Sequence, residues 1–153
     1  MTLTGSYTLD PRSRVNSADQ QSSPVRSTCN VLVAEDEVLV RLMLADALRK
    51  NGFQVFEATD ANEAMSILNA MPLDVVVTDM QMHTPRDGLD LAKYVRAHHP
   101  AVCLLLSSAH ALPVADVGCF DAFFLKPYDP EQIVRWIELR LTSSLGHEDT
   151  GVA

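Results

Sequence analysis

Short apolar runs alternate with longer amphipathic stretches from residue 30 to residue 144. Five of the runs are four to six residues long and consist mainly of aliphatic or aromatic side chains, which is typical of buried strands. They occupy residues 30–34, 53–57, 74–78, 102–107 and 122–125. Because a stretch with helical spacing follows most of these runs, the pattern predicts βαβ units and a parallel sheet.

The first helix is predicted at residues 38–51, directly after the first strand. Its apolar residues recur near helical spacing, which predicts one buried face. These residues are Val38, Leu42, Ala45 and Leu48. Gly52 follows, and glycine readily takes the left-handed conformation in which many helices end. We therefore expect this helix to end at Gly52.

Capping signals mark the starts of two further helices. Asp60 is followed three positions later by Glu63, a capping-box pattern that predicts the start of the second helix. Asp129 precedes Pro130, and proline is favoured at the first helical position, so the last helix is predicted to begin there. The apolar stripe of that last helix consists of Ile133, Trp136, Ile137 and Leu141.

The sequence pattern predicts one of the remaining two helices more strongly than the other. Residues 89–98 predict a third helix, which ends before Pro100. Residues 109–120 contain Pro113 and Gly118, and both residue types are unfavourable inside a helix. A fourth helix is therefore expected to be short, a turn or two at most. The whole pattern predicts an α/β domain with helices on both faces of a parallel sheet.

Composition divides the chain into one domain and two tails. Residues 1–28 are rich in Ser, Thr, Asn, Gln and Pro and show no periodicity, which predicts a disordered N-terminal tail. Residues 145–153 predict a flexible C-terminal tail. Residues 29–144 hold enough apolar mass for a single core in a chain of 153 residues that is 47% hydrophobic. We expect a single-domain protein with no further domain after the last helix.

The charge balance narrows the choice of partners. The chain has 12 basic and 20 acidic residues and a formal net charge of −8, so its surface repels nucleic acids and anionic lipids. No apolar run approaches the roughly 20 residues that a membrane-spanning helix needs. The three cysteines lack metal-ligand spacing and are expected to be buried free thiols in a reducing compartment. We therefore expect a cytoplasmic protein that binds neither nucleic acid nor membrane.

Polar side chains suited to phosphate chemistry lie where the predicted strands end. Glu35 and Asp36 follow the first strand, Asp79 the third, Ser108 the fourth and Lys126 the fifth. Because the carboxyl ends of parallel strands share one edge of the sheet, we expect these side chains to converge. Clustered carboxylates repel unless a cation neutralises them, and an all-oxygen cluster suits Mg²⁺. With the lysine and the hydroxyl, this edge could hold a transferring phosphoryl group.

In order, spacing and residue type, residues 30–143 resemble the response regulator receiver family. Five polar residues and one proline carry the resemblance. Glu35 and Asp36 match the acidic pair of the family, Asp79 its phosphoacceptor, Ser108 its switch hydroxyl, and Lys126 with Pro127 its Lys-Pro pair. The resemblance implies a flavodoxin-like fold with strand order 2-1-3-4-5 and the site at the point where this order reverses.

The resemblance also implies how the site works. Asp79 would accept a phosphoryl group from a sensor histidine kinase, with Mg²⁺ as the cofactor. The metal would be bound by Asp36, Asp79 and the backbone carbonyl of Gln81, while Glu35 would act through bound water. Phe123, three residues before the lysine, would be the aromatic switch that moves together with the switch hydroxyl.

Two segments depart from the family pattern. The loop after the phosphoacceptor carries His83 where proline is usual and is one residue longer than the commonest version. The interval from Ser108 to the lysine is several residues short, so we expect the surface built by strand four, helix four, strand five and the last helix to be unusual.

Ser107 remains an alternative source of the switch hydroxyl if the strand register shifts by one. His83 and His110 flank the site, and we hypothesise that they tune phosphoryl lifetime by gating water.

Two other classes of function compete with the receiver interpretation. A magnesium-dependent phosphohydrolase of the aspartyl-phosphate type usually needs a second aspartate two residues after the nucleophile, where this chain has Gln81. A pseudo-receiver would bind partners without phosphorylation, and the complete acidic set argues against it.

Besides the kinase, the expected partners are a histidine phosphotransfer protein or a downstream target protein, with a homodimer through the last helix as a further option.

Overall fold

The computed structural model describes residues 28–112 and 114–145. These residues form five strands, four α-helices and one short 3₁₀ helix. The strands are β1 (Asn30–Ala34), β2 (Gln54–Ala58), β3 (Val75–Asp79), β4 (Cys103–Ser108) and β5 (Ala122–Leu125). The helices are α1 (Val38–Lys50), α2 (Ala61–Ala70), α3 (Asp87–His98) and α4 (Pro130–Leu145), and the 3₁₀ helix is Val114–Cys119.

All strand pairs are parallel, and the order across the sheet is β2-β1-β3-β4-β5. This confirms the flavodoxin-like fold and the strand order that the family resemblance implies. The order reverses between β1 and β3, and every residue of β3 is buried because both neighbouring strands and both helical layers cover it. The carboxyl ends of β1 and β3 therefore lie side by side at the switch point of the sheet.

Side chains alternate between two cores on opposite faces of the sheet. On one face, Val33 and Val77 pack against α1 and α4 through Leu48 and Ile137. On the other face, residues such as Leu32 and Val76 pack against α2 and α3. Helices α1 and α4 contact each other, as do α2 and α3, so the sheet is covered by one helix pair on each side.

Several predicted local features are confirmed. Gly52 ends α1 with a φ of 89°, in the left-handed region. The backbone N–H of Glu63 donates to the Asp60 side chain at 2.8 Å, which caps α2, and the backbone N–H of Glu131 donates to Asp129 at 3.0 Å at the start of α4. The three cysteines are free thiols, as predicted, but they are half-buried rather than buried. Burial raises the pKa of Cys103 to about 12.

The fourth helix of the family is reduced to the 3₁₀ segment Val114–Cys119. Six residues in this conformation cover less of the sheet than an α-helix of ordinary length would. Two apolar side chains of the edge strand β5 are exposed, Phe123 by 36% and Leu125 by 54%. The helix that follows, α4, corresponds to the predicted fifth helix.

The predicted buried face of α1 is wrong in its first half. Val38 is 54% exposed and Leu42 47% exposed, whereas Leu44 and Ala47 are buried beside the predicted Ala45 and Leu48. Nearly every position at the start of α1 is apolar, so the pattern alone could not show which side faces the sheet. The packing against β1, β2 and α4 decides it.

The predicted tails lie almost entirely outside the described residues. The N-terminal tail was assigned to residues 1–28 and the C-terminal tail to residues 145–153, and only Thr28 and Leu145 of these belong to the described part. Within the described ranges, none of the helices has both the length and the apolar character that crossing a membrane requires.

Candidate functional site

The polar residues at the carboxyl edge of the sheet converge as predicted. Glu35 and Asp36 follow β1 directly, and Asp79 is the last residue of β3. Among the described residues, these three side chains each offer a carboxylate oxygen such that all three oxygens lie within 4.8 Å of one another. Glu35 is only 3% exposed and Asp79 only 7%, so two of the three carboxylates are buried.

Lys126 lies between the two buried carboxylates. Its Nζ is 2.8 Å from Oε2 of Glu35 and 3.2 Å from Oδ2 of Asp79. Burial alone would lower the pKa of Lys126, but the hydrogen bond and charge of Glu35, together with the charge of Asp79, outweigh it and raise the pKa. The lysine is therefore a fixed cation at this site.

Glu35 is the carboxylate most perturbed by its surroundings. Burial raises the pKa of Glu35 to about 7, the negative charge of Asp79 acts in the same direction, and the hydrogen bond from Lys126 opposes both. The backbone N–H of Glu37 donates to Oε1 of Glu35 at 3.1 Å. Glu35 is thus held mainly by its burial in a form that binds a proton more readily than an exposed carboxylate does.

These donors fit a divalent metal of the magnesium type. Three carboxylates with closely spaced oxygens repel one another, and Lys126 balances only one of the charges. Mg²⁺ prefers oxygen ligands and commonly binds through one or two carboxylates, keeping several waters. Asp36, whose side chain is 33% exposed, leaves the cluster open to solvent on one side.

The backbone around Asp79 is held from two directions. The N–H of Met80 donates to the Ser107 carbonyl at 2.9 Å, and the N–H of Gly88 donates to the Met80 carbonyl at 3.0 Å. A Cβ on Gly88 would lie 2.6 Å from the Met80 Cα and 2.8 Å from the Asp79 carbonyl carbon. Glycine is therefore required at the start of α3, because the helix packs directly on the backbone of Asp79.

Both serines of the predicted switch lie in β4 and are buried. Ser107 pairs with Asp79 in the sheet register. Ser108, one residue later, accepts a hydrogen bond on Oγ from the backbone N–H of His110 at 3.1 Å. The Ser108 carbonyl accepts from the backbone N–H of Lys126 at 2.8 Å, which ties the end of β4 to the lysine. Ser108 remains the predicted switch residue, with Ser107 as the alternative.

The other predicted residues lie at the rim of the site. Nδ1 of His83 is 3.9 Å from Oδ2 of Asp36, and the His83 side chain is 63% exposed. His110 is also exposed, while Gln81 donates its backbone N–H to Oδ1 of Asp79 at 3.3 Å. Phe123 is 36% exposed. The roles of these residues remain predictions.

Two residues near the site carried no prediction. Arg41 donates from Nη1 to the backbone carbonyl of Glu35 at 2.9 Å. Tyr128 borders the same small space as Glu35 and Asp79, and burial followed by the charge of Glu35 raises its pKa to about 12. One signal could have pointed to Arg41: it is the single charged residue among the first seven positions of α1, and the other six are apolar.

Comparison with known proteins identifies the family. The model of the response regulator receiver domain matches residues 31–138. The chain belongs to the response regulator receiver family. This receiver is 32% identical over 117 residues to the transcriptional regulatory protein PdtaR of Mycobacterium tuberculosis strain H37Rv. It is 29% identical over 118 residues to the DNA-binding transcriptional regulator NtrC of Proteus hauseri.

Coverage of these relatives is partial. The alignments span 73% of this chain and 56% of PdtaR, and 74% of this chain but 24% of NtrC. The receiver thus spans about half the length of one relative and about a quarter of the other.

Solved structures agree on the fold. A response regulator receiver protein from Pseudomonas putida is 26% identical and superposes with a TM-score of 0.66, over 75% of this chain and 99% of that one. The chemotaxis response regulator CheY4 of Vibrio cholerae is 22% identical with a TM-score of 0.67, over 74% of this chain and 98% of that one.

Proposed function

We propose that this receiver accepts a phosphoryl group on Asp79 from the phosphohistidine of a sensor histidine kinase. The observation that carries the proposal is the position of Asp79, buried at the end of β3 with Lys126 at 3.2 Å and two more carboxylates beside it. A lone buried aspartate would be protonated or would form a single ion pair. Asp79 instead lies beside both the ammonium of Lys126 and the carboxylates of Glu35 and Asp36.

The chemistry divides among the residues of the site. A carboxylate oxygen of Asp79 attacks the phosphorus, the P–N bond to the imidazole breaks as the P–O bond forms, and the histidine leaves with its electron pair. Lys126 stabilises the negative charge on the transferred oxygens. Bound Mg²⁺, held by Asp36, Asp79 and the Gln81 carbonyl with Glu35 acting through water, would supply further positive charge for the same oxygens.

The proposed response starts from the phosphoryl group and ends on the surface. Ser108 moves toward the new phosphoryl oxygens, and Phe123 then turns inward into the space that Ser108 leaves. The exposure of Phe123 and Leu125 supports a readout on β5, because a change there alters a surface that neighbouring elements do not cover. The affected surface comprises β4, the 3₁₀ segment, β5 and α4.

A second surface suits the phosphodonor. Four apolar side chains at the start of α1 are exposed, with fractions between 47% and 71%. They are Val38, Leu39, Leu42 and Met43. A domain that carries a phosphohistidine must contact the rim of the site to reach Asp79, and α1 begins two residues after Asp36. We therefore assign this α1 patch to the histidine-bearing domain of the kinase.

Further features of the proposal follow from the sequence. The receiver would act in the cytoplasm and would catalyse only its own phosphorylation and dephosphorylation. Its targets would be a histidine phosphotransfer protein or a downstream protein, with a homodimer through α4 as an alternative. His83 and His110 would adjust the lifetime of the phosphoryl group by controlling the access of water.

One experiment separates the receiver from its rivals. The protein is incubated with Mg²⁺ and a small acyl phosphate, and both phosphoprotein and released phosphate are measured. We expect stable label on Asp79, no label on the Asp79→Asn variant, and no label when the metal is chelated. Turnover of the donor in large excess would instead indicate a phosphohydrolase, and absence of label and turnover a pseudo-receiver.

A further inference from the structure

The turn that carries Glu35 and Asp36 has to hold both carboxylates toward Asp79, and its backbone has one unusual support. The N–H of Glu35 continues the sheet by donating to the Ala58 carbonyl at 3.0 Å. In a parallel ladder the N–H and C=O of one residue face the same neighbouring strand, so the Glu35 carbonyl also points toward β2. The chain has already left β2 there and enters α2 through its cap, Asp60.

Arg41 of α1 replaces the missing strand partner. Its Nη1 donates to the Glu35 carbonyl at 2.9 Å, and the Arg41 side chain is 12% exposed. Among the described residues, Arg41 is the only side chain that donates to the partly buried Glu35 carbonyl. Buried backbone groups in native proteins are nearly always hydrogen-bonded, so loss of this donor would be unfavourable. The bond is also charge-assisted, which makes it stronger than one between neutral groups.

The ion pair with Glu57 does not explain the position of Arg41 equally well. Nε of Arg41 is 4.0 Å from Oε2 of Glu57, at the limit for an ion pair. Glu57 has a closer partner in Arg49, whose Nη1 lies 3.0 Å from its Oε1. The short contact of Arg41 is therefore the one to the acidic turn.

We propose that Arg41 is a positioning residue for the phosphorylation site. By its hydrogen bond to the Glu35 carbonyl it holds the Glu35–Asp36 turn in place and so sets the affinity for the divalent metal. The inference rests on the proposed function, since it concerns the same carboxylates. Groups that orient metal ligands from outside typically change metal affinity by about 10- to 100-fold when removed. Arg41 acts through the turn and touches neither the phosphoryl group nor the metal.

The test compares Arg41→Met with two controls in the full chain. Arg41→Met keeps the apolar stem of the side chain and removes the donor. Glu57→Gln and Arg49→Met disrupt the ion pairs and leave the bond to the Glu35 carbonyl in place. Mg²⁺ affinity is measured by calorimetry, and amide exchange of Asp36 and Glu37 is followed by NMR without metal.

We expect Arg41→Met to raise the Mg²⁺ dissociation constant by about 10- to 100-fold and to speed amide exchange in the turn, with both controls near the wild-type value. At saturating Mg²⁺ the labelling rate of Asp79 should recover. Arg41→Lys, which retains a charged donor, should restore part of the affinity. If Arg41→Met does not fold, Arg41→Gln and Arg41→Lys are compared with wild type instead.

The outcomes separate the inference from the proposed function. If wild type binds no Mg²⁺, the proposed function fails. If wild type binds Mg²⁺ and the Arg41 variants bind it equally well, or if Glu57→Gln weakens binding as much as Arg41→Met does, the positioning role is wrong.

Discussion

Replacing Gly88 by alanine should separate the rate of phosphorylation from the stability of the fold. A Cβ at this position would lie 2.6 Å from the Met80 Cα and 2.8 Å from the Asp79 carbonyl carbon. The Cβ would overlap the Asp79 carbonyl oxygen even more closely than these two carbons. Carbon atoms in contact are about 3.5 Å apart, so helix α3 and the strand end must separate by at least about 0.7 to 0.9 Å. The atoms that have to move are backbone atoms, and a side-chain rotation cannot relieve the overlap.

Two opposing terms determine the effect on stability. Overpacking of this kind costs about 1 to 3 kcal/mol. Alanine is favoured over glycine inside a helix by about 1 kcal/mol, although the second position of α3 gains less than a central one. With a gain of about half that size, the free energy of unfolding should fall by about 0.5 to 2.5 kcal/mol, which leaves most of the protein folded.

The effect on the chemistry should be much larger. A displacement of about 1 Å in a reacting group can reduce the rate about 100-fold, and the overlap acts directly on the peptide of Asp79. We expect Gly88→Ala to label from a small acyl phosphate about 100-fold more slowly than wild type at saturating Mg²⁺. Labelling is measured by phosphate-affinity electrophoresis, and stability by urea unfolding followed by circular dichroism.

Gly118→Ala is the matched control, because a Cβ on Gly118 meets no atom within 4 Å. This variant should keep both the wild-type rate and the wild-type stability. Labelling of Gly88→Ala at the wild-type rate would refute the reasoning, since it would mean that the position of Asp79 does not depend on its contact with α3.

Three further predictions concern the charges and surfaces of the site. Lys126→Met should slow labelling of Asp79 by about 100- to 1,000-fold, as loss of one preorganised charge does elsewhere; an unchanged rate would contradict a role for the lysine in the transfer. Without metal, the free energy of unfolding of wild type relative to Glu35→Gln should fall by about 2 to 3 kcal/mol between pH 4.5 and 7 in urea titrations, because a Glu35 pKa raised to about 7 means that the folded state binds the extra proton. If the difference in free energy of unfolding between wild type and Glu35→Gln did not change with pH, the pKa of Glu35 would not be raised in the folded protein. Leu39→Ser combined with Met43→Ser should slow transfer from a kinase but leave labelling by acyl phosphate intact, and equal loss in both assays would exclude a docking role for the α1 patch.

The location of the site could be predicted because its residues lie at strand ends. Errors of one residue in the predicted strand boundaries, such as 53–57 in place of Gln54–Ala58 for β2, do not remove a side chain from the carboxyl edge. Strand order follows from the resemblance, and the parallel pairing then brings Asp79 beside the residues after β1. Convergence is thus a property of topology, which tolerates small errors in local structure.

Individual contacts could not be predicted in the same way. The pairing of Lys126 with Glu35 joins residues 91 positions apart and depends on where each side chain turns at the edge. Helix α1 shows the same limit, since apolar residues on several sides leave its orientation to the packing against β1, β2 and α4. The sequence shows Arg41 as a lone charge in the apolar start of α1, but its contact could not be predicted, because its partner is a backbone carbonyl and no residue type marks that in a sequence.

Lys126 connects the chemistry of the site to the surface that would report it. Its ammonium contacts Glu35 and Asp79, and its backbone N–H donates to the Ser108 carbonyl. In the proposed function, phosphorylation replaces the Asp79 carboxylate by a more highly charged group that draws the ammonium away from Glu35. Because the lysine directly follows β5, its movement would act on the strand that exposes Phe123 and Leu125. β5 is the edge strand of the sheet and pairs with β4 on one side, so a small change at Asp79 would reach an exposed surface through the peptide bond between Leu125 and Lys126.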